Sequence, residues 1–102
     1  MINVTLTYEA GALRSLKVKG HADSAPYGQD LVCAAISAIV IGGLNALTDG
    51  AGHYKSSVKA GNVSLEVLKP LSEHDKIVLE TIAIEVQSVA SSYPENVKLE
   101  RK

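Results

Sequence analysis

From Leu31 to Thr48 the chain carries no Asp, Glu, Lys or Arg, a run about as long as a membrane span that has to be covered wherever it goes. Its interior argues against lipid. Ser37, Gly42-Gly43, Asn45 and Thr48 interrupt the apolar surface, the flanks are acidic rather than basic, and amphipathic segments on either side need a core partner. The run therefore reads as a helix wrapped by sheet and a second helix, or partly covered by another subunit. A homodimer is the expected assembly. Asp30 stands where an N-cap belongs, which puts Leu31, Val32 and Cys33 in the first turn, and Asp49-Gly50-Ala51-Gly52 stops the helix after Thr48.

The segments that must cover this helix are legible from alternation. Ile2, Val4, Leu6 and Tyr8 share one face of a strand over residues 2–8, Gly11 supplies a turn, and residues 13–19 alternate again with Leu16 and Val18 inward. A second hairpin follows from residues 53–59 and 63–67, joined at Ala60-Gly61-Asn62. Ser72 and Asp75 resemble a capping box opening a helix with Val78, Leu79, Ile82, Val86 and Val89 on one stripe, which Tyr93-Pro94 closes. Val97 and Leu99 form a last short strand. The order is ββαββαβ, an α+β arrangement with one mixed or mostly antiparallel sheet and two helices packed on it.

With 102 residues, one domain spanning residues 1–102 is expected. The core must be aliphatic, because the chain holds four Tyr and neither Phe nor Trp. Ten Lys plus Arg against eleven Asp plus Glu leave a net charge of −1, so nothing in the charge calls for nucleic acid. A single cysteine excludes an internal disulfide, and with no leader-like start the expected compartment is the cytoplasm. Neither a Cys-x-x-Cys nor a His-x-x-x-His spacing supports a metal, and no glycine-rich phosphate loop implies an organic cofactor.

Chemistry concentrates between Gly20 and Ser37. His21 ends a strand, a Gly-, Asp-, Ser- and Pro-marked loop runs from residue 20 to 29, and Cys33 follows near a helix start, where amides and the helix dipole favour a thiolate. Cys33 is thus a candidate nucleophile and His21 a candidate base. By pattern alone, a lone cysteine in an apolar helix is more often a small core residue. Ser37, one turn beyond Cys33, either orients the sulfur or bonds back to its own helix. Asp30 serves the helix end rather than the sulfur, since a carboxylate against it would disfavour a thiolate. His53 and His74 have no argued role, and His74 reads as a solvated residue.

These residues resemble the signature of the ribosomal-processing cysteine protease Prp (YsxB-like) family: Gly-His-Ala, a short loop, then Gly-x-Asp-hydrophobic-Val-Cys-Ala-x-x-Ser. Gly20, His21, Ala22, Gly28, Asp30, Val32, Cys33, Ala34 and Ser37 meet every fixed position. The resemblance implies a cytoplasmic, homodimeric cysteine endopeptidase that removes an N-terminal extension from a large-subunit ribosomal protein, number twenty-seven. It implies Cys33 as nucleophile and His21 as proton-transfer partner, with Asp30, Ser37, Gly20 and Gly28 supporting them, and no cofactor. The 20–29 loop, with glycine near each end, is expected to close over a peptide bound as an extended strand on a free sheet edge. The competing expectations are a noncatalytic ribosome-assembly module and a thiol redox sensor, the latter disfavoured for want of a resolving cysteine.

Overall fold

Alternation builds the N-terminal hairpin. In the computed structural model, which describes residues 1–20, 27–59 and 61–102 and only the backbone of 27–30, β1 (Ile2–Glu9) and β2 (Ala12–Lys19) pair antiparallel. Ile2, Val4, Leu6, Leu16 and Val18 all turn to one buried face. Ala10 and Gly11 join the strands with φ of 52° and 82°, as a two-residue type I′ turn requires.

The remaining elements are α1 (Tyr27–Leu44), β3 (Tyr54–Lys59), β4 (Asn62–Val67), α2 (Glu73–Ser92) and β5 (Val97–Arg101). Their order is the expected one. The strands form one sheet in the order β3-β4-β2-β1-β5, antiparallel throughout except that β5 runs parallel to β1, from Ile2↔Val97 to Leu6↔Arg101. A parallel neighbour needs a crossover, and α2 provides it. The sheet is therefore mixed, with β3 and β5 at its edges.

Both helices close the same core. Val32, Ile36 and Val40 of α1, spaced four apart, join Leu79, Ile82, Ala83 and Val86 of α2 over Val63, Leu65 and Val97 of the sheet. Gly43 matters here, because a Cβ on it would overlap the Ile82 side chain, so a bare backbone lets the two helices approach. Among the described residues no helix is long and apolar enough to cross a membrane.

Both ends of α1 lie N-terminal to the expected span of 31–48. It begins at Tyr27, directly after Pro26, a residue type favoured at helix starts. Asp30 is consequently inside the first turn and is not the N-cap. At the other end, Ala46 and Leu47 donate to the carbonyls of Gly43 and Leu44 at 3.0 and 3.2 Å, a tightening into three-residue turns. Thr48 and Asp49 are then pulled away to α2 by the carboxylate described below.

Candidate active site

Cys33 lies in the second turn of α1, half-buried against the core. This corrects the expected first-turn position. The unpaired amides of a helix belong to its first turn, and the dipole's influence fades beyond it. The free amides of the helix end therefore lie a turn away from Cys33.

Cys33, Ser37 and Ile41 repeat every four residues and form one wall of an open cleft of about 270 Å³. The floor is apolar. Val18 of β2 and Val63 of β4 supply it, and Val58 and Lys59 of β3 stand opposite the helix. Ser37 thus shares the face of Cys33 as expected, although no hydrogen bond among the described residues joins the two side chains.

Gly20 lines the same cleft. Its φ is 90°, its N–H donates to the Gly61 carbonyl at 3.0 Å, and a Cβ there would overlap the Met1 carbonyl oxygen. Only glycine fits such a corner without strain. The residue immediately before His21 is in this way fastened beside the cleft that holds Cys33. His21, the rest of residues 21–26 and the Asp30 side chain lie outside the described residues, while residues 27–29 of the expected loop, Gly28 among them, instead form the start of α1.

A second polar cluster was not foreseen. Asp75 does sit in the expected capping box, its N–H donating to the Ser72 hydroxyl at 3.2 Å, but its own side chain is fully buried. The carboxylate accepts from the N–H groups of Thr48 and Asp49 at 3.0 and 2.8 Å, from the Thr48 hydroxyl at 3.0 Å, and from the Tyr54 hydroxyl. His74 Nδ1 lies 2.7 Å from it, so His74, although exposed, is partnered rather than merely solvated. Asp49 in turn accepts from the Ser72 N–H and hydroxyl at 2.8 and 2.6 Å.

Burial alone would raise the Asp75 pKa, but the hydrogen bonds from Tyr54, His74, Thr48 and Asp49 outweigh it and hold the carboxyl well below its ordinary range. The Tyr54 hydroxyl moves the other way, pushed up by burial and by its bond to Asp75. The cluster ties the exit of α1 to the start of α2. Among the described residues no group of His, Cys, Asp and Glu could hold a metal ion.

A half-buried cysteine on an open cleft, with a fixed glycine corner beside it, is an arrangement found in several kinds of thiol chemistry. The family decides between them. The profile of the family described as Cysteine protease Prp matches residues 1–98. The chain belongs to the Prp cysteine protease family. A ribosomal processing cysteine protease Prp from Staphylococcus aureus (strain Mu50) is 29% identical, with 100% of both chains covered. The crystal structure of an essential ribosomal processing protease Prp from S. aureus in complex with a substrate peptide superimposes with a TM-score of 0.88 at 26% identity, and one with a covalently linked product peptide with 0.81 at 28%, each covering 100% of both chains. The present chain is accordingly an enzyme, a Prp-type cysteine protease with the mixed-sheet fold of those structures.

Proposed function

We propose that this Prp-family protease removes the N-terminal extension of a large-subunit ribosomal protein, number twenty-seven, in the bacterial cytoplasm, using Cys33 and His21 as a catalytic dyad. The observation that carries this reading is the shared cleft: Cys33 opens onto it and Gly20, the residue before His21, is fixed at its side. The names of the S. aureus relatives and their substrate and product peptide complexes support the same substrate class.

In the proposed reaction the Cys33 thiolate attacks the scissile carbonyl, and the tetrahedral intermediate collapses to a thioester as His21 gives a proton to the departing amine. Water, deprotonated by His21, then attacks the thioester and releases the N-terminal fragment with Cys33 restored. Ser37 supports Cys33 from the next turn, and Gly20, Gly28 and Asp30 shape the approach of the loop. The substrate runs as an extended strand beside β3, the edge strand that contributes to the cleft. A homodimer in which Leu31 of α1, an exposed apolar side chain, meets a second copy accounts for its lack of cover.

The test uses purified protein and a peptide spanning the extension, with and without iodoacetamide. Cleavage at one bond that iodoacetamide abolishes, and that Cys33→Ala loses while still binding the peptide, is the expected result. Cleavage retained in Cys33→Ala overturns the proposal.

A further inference from the structure

The cleft contains a feature that cleavage chemistry alone does not require. Directly paired residues of neighbouring strands share a face of the sheet, and Val58 pairs with Val63 and Ser56 with Leu65. Val63 and Leu65 are 8% and 2% exposed under the helices, whereas Val58 on the same face is 53% exposed. The helices leave the Val58 end of β3 uncovered, while Tyr54 at its other end reaches Asp75 of α2. A strip of the sheet, with Val58 as its exposed apolar residue, is thereby left open opposite the Cys33–Ser37–Ile41 wall, and Ile41 is itself 37% exposed.

Position along the wall gives the strip a meaning. Ile41 follows Cys33 by two turns of the helix, about 12 Å along its axis, which an extended peptide spans in about three to four residues. We propose that Ile41 and Val58 form an apolar specificity subsite that accepts a large aliphatic or aromatic side chain about three to four residues from the scissile bond. This rests on the assignment of Cys33 as nucleophile. Filling the subsite removes the Val58, Ile41 and substrate side chains from water together, and a charged side chain there would lose hydration without gaining a partner. Lys59 at the same wall adds repulsion against a basic residue.

The test compares peptides built on the proposed ribosomal extension that differ only three or four residues from the cleaved bond, where they carry Leu or Lys. Dissociation constants are measured by anisotropy on Cys33→Ala protein, with and without Val58→Glu, and kcat/KM on the active enzyme. The parent binds the Leu peptide more tightly at one of those positions, and Val58→Glu moves the Leu-to-Lys affinity ratio by at least about tenfold toward Lys. Val58→Thr, nearly the same shape and β-branched, moves the ratio in the same direction by less and guards against a folding artefact. A ratio that stays within about threefold of the parent in both variants overturns the subsite. The readouts separate the two proposals: a shifted ratio without thiol-dependent cleavage sinks the peptidase reading and with it the placing of the subsite relative to a cleaved bond, while cleavage with an unmoved ratio sinks the subsite alone.

Discussion

Two residues outside the cleavage chemistry fix much of the structure, Gly20 beside the Cys33 cleft and Asp75 between the helices. Gly20 has no side chain, and that is its contribution. Alanine at this position adopts φ near 90° at a cost of about 1–3 kcal/mol and pushes on the Met1 carbonyl. Gly20→Ala is therefore expected to lose that much stability in urea titration. Because His21 is the next residue, its peptidase kcat/KM is expected to fall by about a hundredfold at a temperature where the variant remains folded. Asp75 acts through its partners. Its depressed pKa means that its contribution to stability is fully present above the unfolded value of 3.8 and is lost as pH falls below that toward the folded value. Asp75→Asn should cost about 3 kcal/mol at neutral pH, because the buried donors around it lose their charged acceptor. Its unfolding free energy should also depend less on pH below about 4 than that of the parent, as measured by acid titration followed by circular dichroism. The residue identities of the Cys33 motif were readable in the sequence because a motif is local. The Asp75 cage was not, since Ser72-x-x-Asp75 announces a cap while the donors that bury its carboxylate come from Thr48, Asp49 and Tyr54.

At the scale of elements, periodicity carried most of the fold. The first hairpin, the second hairpin and the apolar stripe of α2 all follow alternation or helical spacing, and each forms where it was expected. The exception is α1, displaced toward the N-terminus at both ends. A run without charge has no wet face to mark its phase, so Asp30 and Asp49 offered the only visible boundaries, and tertiary hydrogen bonds set the C-terminal end instead. That displacement moved Cys33 away from the helix start. The β1–β2 turn also departs from the best local choice, since Ala10 occupies a left-handed conformation that costs a residue with a Cβ about 1–2 kcal/mol. Ala10→Asn, which tolerates this conformation and precedes Gly11, should stabilise the protein by about 0.5–1 kcal/mol in thermal melts, with cleavage unaffected because the turn lies outside the Cys33 cleft.

For the whole molecule, the class and strand count were legible but the order of the sheet was not. Val97 and Leu99 alternate as any edge strand does, and alternation does not name a partner; that β5 lies parallel beside β1 follows from the crossover path of α2. The same limit hid the cleft, because which face of β3 remains open depends on where two helices stop. Connections across long stretches of sequence also alter how the molecule opens. The segment after α1, with its glycines at positions 50 and 52, has the composition of a loop that exchanges its amide hydrogens rapidly. Yet the amides of Thr48 and Asp49 point at a carboxylate that leaves only if the first turn of α2 leaves with it. In deuterium exchange these two amides should therefore be protected like the central strands, opening only with global unfolding, while their neighbours at Gly50 and Ala51 exchange early.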